Sequence, residues 1–123
     1  MSKAYREIRD LTAPSLRKRV CIALSYPTVA QEEMLPHVAE HLRYMAAHED
    51  EILMSGPIIK QGQIVGEGVT VLLTDSEVKA AEFMRHEPLI RRGLRRFDIK
   101  MWELREGTLN VVTKLSESRF TLG

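Results

Sequence analysis

A single cysteine, Cys21, among 123 residues excludes an intramolecular disulfide and a multi-cysteine zinc site. It lies in the run Val20-Cys21-Ile22-Ala23-Leu24, which marks it as a buried thiol of low reactivity. That run is among the longest uninterrupted apolar stretches of the chain. A membrane span needs about 20 such residues, so no membrane partner is expected. The N-terminus, Ser2-Lys3-Ala4-Tyr5-Arg6-Glu7, lacks the apolar core of a signal peptide, and the expectation is a soluble cytoplasmic protein. Charge of one sign is lacking too. Eighteen basic and 17 acidic side chains leave a formal net charge of +1, without the basic excess of a nucleic-acid binder or the acidic excess of a disordered tail. No aromatic residue interleaves the densest basic cluster, Arg91-Arg92-Gly93-Leu94-Arg95-Arg96, as a base-stacking surface would require. No nucleic-acid partner is expected.

What is present suffices for one globular domain: 44% of the residues are hydrophobic, close to the average for a folded chain once glycine is added. Residues 1–17 are charged, with Ala4, Ile8 and Leu11 at helical spacing, and read as a short helix or an arm. The domain proper then spans 18–123. Arg19 to Tyr26 reads as a first strand inside a sheet, since its apolar residues face both ways. Leu35, Val38, Leu42 and Met45 form one apolar stripe, with Pro36 in the first turn, so a helix is expected from about Leu35 towards Glu51. Ile52 to Met54 reads as a second strand stopped by Gly56-Pro57, residues 60–68 as a hairpin loop, and Val69 to Leu73 as a third strand. Thr74 with Glu77 matches a capping box opening a second helix, which Pro88 ends. Leu89 to Leu94 reads as a connector. Arg95 to Leu104 reads as a fourth strand, with Phe97, Ile99 and Met101 on one face. Leu109 to Leu115 is expected to pair back as a fifth.

The order is β-α-β-β-α-β with an extra C-terminal hairpin strand, an α+β fold of ferredoxin-like pattern. Both helices then lie on one face of an antiparallel sheet. The other face also carries apolar residues and has no third layer within the chain, so a homodimer with its two sheets face to face is expected.

Three histidines, His37, His41 and His48, fall within roughly 40° of one another on the first helix at about 100° per residue. His37 and His41 are four apart and could share a metal, but no third ligand is fixed and no metal site is assigned. His41 lies nearest the apolar stripe and needs a hydrogen-bond partner to set its tautomer. Glu87, at the end of the second helix, is the candidate. The pair reads either as a general base with its orienting carboxylate or as a structural hydrogen bond. The cluster Arg91-Arg92-Gly93-Leu94-Arg95-Arg96 reads as solvated surface or as an anion site for a substrate carboxylate, with Arg91 and Arg92 as the candidate forks.

Several segments in order carry a resemblance: Glu40-His41-Leu42-Arg43-Tyr44, Ser55-Gly56-Pro57, Gly66-Glu67-Gly68, Thr74-Asp75-Ser76, His86-Glu87-Pro88-Leu89, Arg92-Gly93-Leu94 and Met101-Trp102-Glu103-Leu104, with a tail from Leu115 to Phe120. Over residues 18 to 122 the chain resembles the YCII-related (YciI-like) domain family. The resemblance implies a ferredoxin-like protomer assembled into a dimeric α+β barrel. It also implies a crevice between helices and sheet holding a His–Asp catalytic pair. His41 matches the histidine. Glu87 stands where the family's Asp-Pro motif has aspartate, one methylene longer. Ser55, where the family more often has alanine, adds a hydroxyl beside Gly56 in the crevice region, with Pro88 following the acid; Met101 replaces a more frequent proline. Family members with proposed activity move protons on small polar molecules from aromatic degradation without a cofactor. The implied function is therefore a cofactor-independent lyase or isomerase with a small-molecule ligand. The alternative is a non-enzymatic ligand-binding or accessory protein with the same crevice.

Overall fold

The computed structural model describes residues 2–117 and 119–122; Met1, Ser118 and Gly123 lie outside the described residues. The chain divides into two compact units, Arg19–Glu103 and a smaller one made of Met1–Lys18 with Leu104–Gly123.

The larger unit is α+β, with a four-stranded antiparallel sheet in the order β2 (Ile52–Lys60), β3 (Gln63–Leu72), β1 (Lys18–Pro27), β4 (Arg95–Leu104), compatible with a ferredoxin-like fold. Strand β1 (Lys18–Pro27) carries the expected apolar run. It pairs antiparallel with β3 (Gln63–Leu72), Cys21 opposite Leu72 and Ala23 opposite Thr70. Alternation sends Cys21 and Ala23 to one face, where they join Leu72 and two residues of helix α4 (Glu77–His86), Ala80 and Met84, in the core. Phe97 and Ile99 of β4 (Arg95–Leu104) pack against the same cluster, as the two-residue period of that strand requires. Met101, two residues further along the same strand, is 40% exposed and does not join that cluster. Cys21 is fully buried. Burial, with Glu77 and Asp75 adding to it, pushes its thiol pKa up, so it stays protonated and inert.

The first helical segment is broken where proline dictates. A short turn, α2 (Gln31–Met34), leads into a 3-10 turn at Leu35–His37 that contains Pro36, and regular helix α3 (Val38–Ala47) begins only after it. Proline lacks the N–H that a longer helix would need here. Strand β2 (Ile52–Lys60) runs on past Gly56-Pro57, where the sequence suggested a stop. It is an edge strand, and its register slips on either side of Met54–Pro57. Edge strands and bulges are the positions in a sheet where proline is tolerated. The loop expected over 60–68 is a tight hairpin instead. Lys60 pairs with Gln63, and Gln61 and Gly62 both take positive φ (51° and 74°), the turn that matches strand twist. Helix α4 is capped by Ser76, whose Oγ accepts from the Lys79 N–H at 3.2 Å. Thr74 instead accepts from the Ser76 N–H. The connector 89–94 holds a further short helix, α5 (Pro88–Arg91).

In the smaller unit, residues 3–12 form helix α1 (Lys3–Thr12), capped by Ser2, with Tyr5, Ile8 and Leu11 all exposed. The strand expected over Leu109–Leu115 is shorter and has a different partner. β5 (Val111–Lys114) pairs antiparallel with β6 (Arg119–Leu122) in its own two-stranded sheet, rather than folding back onto β4. The 3-10 turn Leu115–Glu117 between them makes a local hairpin, which closes at less entropic cost than a longer-range pairing. No helix of the described residues is long and apolar enough to cross a membrane.

Leu72, 1% exposed at the centre of this core, sets a test of the packing. Leu72→Ala is expected to cost about 2–5 kcal/mol in urea denaturation, whereas Val78→Ala on the exposed face of α4 (76% exposed) stays within about 0.5 kcal/mol.

Candidate functional site

Helix α3 presents Val38, Leu42 and Met45 towards the sheet, and with the strands they enclose a cleft of about 860 Å³. The apolar stripe in the sequence is therefore the wall of a cavity rather than closed core: Leu42 remains 59% exposed. His41 lines the same cleft one residue from Leu42, its side chain 19% exposed.

Opposite it lies Glu87, fully enclosed. Its carboxylate Oε1 sits 2.5 Å from His41 Nδ1. A carboxylate only accepts, so this contact is satisfied with the proton on Nδ1. Nε2 then keeps its lone pair; among the described residues no hydrogen bond engages it. Glu87 is held in turn by helix α5, for which it is the N-cap. Oε1 accepts from the Leu89 N–H at 3.1 Å and Oε2 from the Ile90 N–H at 3.3 Å. The local sequence explains the geometry. Pro88 forces Glu87 into extended backbone (φ −64°, ψ 129°), and proline at the first helical position loses no hydrogen bond. The carboxyl group then folds over the start of α5, and the extra methylene of glutamate spans the gap to His41.

The sheet side of the cleft is more polar. Ser55 and Gly56 line it, as does buried Thr70, and Ser55 Oγ is 3.0 Å from Thr70 Oγ1. Arg95, the first residue of β4, also lines it. Burial works against its positive charge and lowers its pKa, with the Glu87 carboxylate opposing that shift. The turn that delivers Arg95 is pinned by Thr28, whose N–H donates to Leu94 O and whose hydroxyl donates to Gly93 O.

The structure thus brings together His41, Glu87, Ser55 and Gly56. Pro88 is buried behind Glu87 and shapes the acid without lining the cleft. Arg91 and Arg92 are not brought to it. Both are exposed and grip Glu40, Arg91 Nη2 at 2.9 Å and Arg92 through Nε and Nη2 at 3.1 and 3.0 Å. Those Arg92 hydrogen bonds hold the Glu40 carboxyl below the usual carboxylate range. His48 is engaged elsewhere. His48 Nδ1 donates to Tyr44 O, and its ring stacks on Tyr44 with centroids 4.2 Å apart. Among the described residues no group of three His, Cys, Asp or Glu side chains is placed to hold a metal ion.

Arg95 lies in the cluster read as a possible anion site but is not singled out there, and Tyr44 is not singled out at all. Arg95 shares the two-residue period of Phe97 and Ile99, a signal that separates it from Arg96 and from the rest of the cluster. Tyr44 fastens α3 to α4, its hydroxyl donating to Phe83 O at 2.8 Å. Burial chiefly, then Glu51 and Glu87, push its pKa up to about 12.

Neither the protein-family models nor the curated proteins contain a match to this chain.

The geometry sets two tests. Glu87→Ala leaves His41 Nδ1 and two backbone N–H groups without their acceptor, and is expected to lower stability by about 3 kcal/mol in urea; Glu87→Gln, which keeps an acceptor, costs less. Tyr44 has a folded pKa above the unfolded value of about 10. Its contribution is therefore complete below pH ~10 and lost as pH rises towards 12. Tyr44→Phe should flatten that alkaline fall in thermal denaturation, and NMR titration of the Tyr44 ring should give a midpoint near 12.

Proposed function

We propose that this chain is a YciI-like protein whose cleft carries out cofactor-independent proton transfer, of lyase or isomerase type, on a small polar molecule. The observation that carries this reading is the 2.5 Å contact between His41 Nδ1 and the buried Glu87 carboxylate in the wall of an open cleft. A histidine fixed in this way presents Nε2 as a base.

The proposed chemistry is proton abstraction from a carbon next to a carbonyl. Nε2 takes the proton, and the C–H electron pair moves towards the carbonyl oxygen. Glu87 holds the ring in register and stabilises the imidazolium that forms. In an isomerisation the proton returns from Nε2 to a second carbon. In an elimination the electron pair expels a leaving group from the neighbouring carbon, and the proton leaves with it. The hydroxyls of Ser55 and Thr70 supply hydrogen bonds for polar atoms of the substrate. Arg91 and Arg92, held by Glu40, take no part.

The finer fold belongs to the same proposal: a ferredoxin-like β-α-β-β-α-β protomer forming a homodimeric α+β barrel. The strand order β2-β3-β1-β4 supports it, as does Trp102, which is 45% exposed and alternates away from the Phe97–Ile99 face of β4.

A second reading has its own support. Glu87 caps α5 as well as holding His41, so the contact would also exist in a protein that binds a ligand and releases it unchanged.

Deuterium incorporation separates the two. In D₂O, small carbonyl acids, lactones and hydroxyquinol-like aromatics are incubated with the protein, and exchange at carbon is read by mass spectrometry. Proton transfer is expected to give exchange that falls by about 10²–10⁴ in His41→Gln. Exchange equal in His41→Gln and the unaltered protein would exclude His41 as the base. Binding of these compounds without exchange would establish the second reading.

A further inference from the structure

The basic cluster at 91–96 contains four arginines, and three are accounted for. Arg91 and Arg92 hold Glu40. Arg96 lies over the Tyr26 ring, 4.5 Å from its centroid, and 3.9 Å from Asp98. Arg95 differs from all of these. Among the described residues no hydrogen bond or ion pair engages it, and its Nε is a buried donor without an acceptor. The opposing charge that acts on it is Glu87, whose oxygens already accept from His41 and from the Leu89 and Ile90 N–H groups.

The backbone makes room for this guanidinium. A Cβ at Gly68 would lie 3.7 Å from Arg95 Nη1 and 3.1 Å from Ser25 Oγ. Glycine at this position therefore leaves the cleft floor open beside the guanidinium and a buried hydroxyl. A buried, unsatisfied charged donor is unfavourable for folding alone, and retaining one at the wall of a cleft is a mark of a site.

We propose that Arg95 is the anchor for a ligand carboxylate on the sheet side of the cleft, so that the natural ligand is a small molecule with one carboxylate on an apolar body. The Nη end of the planar guanidinium, beside the open position at Gly68, presents two donors that match a carboxylate in two hydrogen bonds. The remaining walls, including Met34, Leu42 and Met45, suit the apolar body and adapt to its shape. A phosphate, with its larger charge, would call for more donors than one arginine. The inference rests on the reading of this cleft as a ligand site, and it defines the substrate class: a carboxylate held by Arg95 tethers the rest of the molecule within the cavity that His41 lines.

The test uses three probes of similar size or charge: benzoate, benzamide and inorganic phosphate. Binding is followed through the Arg95 Nε–Hε NMR resonance and by calorimetry. Benzoate is expected to shift that resonance. It should bind at least about tenfold more tightly than benzamide and lose about tenfold or more in Arg95→Met. Arg95→Met, freed of an unsatisfied buried donor, is expected to melt no lower than the unaltered protein. Equal affinity for benzoate and benzamide would overturn the proposal. So would an Arg95 resonance unmoved by benzoate, preference for phosphate, or a lower melting temperature of Arg95→Met with benzoate affinity retained. The resonance reads the contact in the unaltered protein, so the test does not depend on the variant folding. Absence of His41-dependent exchange with benzoate still held at Arg95 would overturn the proton-transfer reading and leave this inference standing.

Discussion

The Glu87 carboxylate accepts three hydrogen bonds from three places: the His41 ring on α3 and the Leu89 and Ile90 N–H groups at the start of α5. It is almost fully enclosed, and a buried carboxylate persists only when its oxygens are satisfied. Each partner is therefore also a constraint. Pro88 fixes the backbone of Glu87, α5 fixes the orientation of its side chain, and the carboxylate fixes the rotation and tautomer of His41. The strand that follows α5 begins with Arg95, so the same short segment places the acid and the guanidinium within a few residues of each other. Local backbone chemistry at residues 87–95 builds one side of the cleft, and the stripe of α3 builds the other.

The cleft combines two environments. The helix side is apolar and rich in methionine, which conforms to varied shapes. The sheet side offers hydroxyls and one unpaired guanidinium. Such a division suits a ligand with an apolar body and a polar end. It also runs against stability, since Leu42 stays exposed and Arg95 Nε lacks a partner. Cores close such gaps; binding sites keep them open.

Much of this was legible in the sequence because it depends on short-range periodicity. The run Val20–Leu24 marks a strand in any context, and the Leu35–Met45 stripe marks a helix face. The His41–Glu87 pairing follows from placing two helices on one sheet face. Other features needed tertiary context. Gly56-Pro57 reads as a break, yet an edge strand with slipped register carries it through. Thr74 and Ser76 both precede a helix, and only the backbone selects Ser76 as the cap. The stripe on α3 does not say whether it meets core or cavity. Arg91, Arg92 and Arg95 look alike as a cluster. Strand alternation separates Arg95, but Glu40, far away in the chain, is what occupies the other two. The turn signal at Glu106-Gly107 points the C-terminal strand back towards β4; a nearer partner, β6, takes it.

Proton abstraction in this cleft stands on the tautomer of His41. A long-range ¹H–¹⁵N correlation spectrum, recorded where the ring is neutral, reads which nitrogen carries the proton. The expected result is a proton on Nδ1 and a bare Nε2, with the proton moving to Nε2 in Glu87→Ala. A proton on Nε2 in the unaltered protein would contradict a basic His41, because the ring would then face the cleft as a donor.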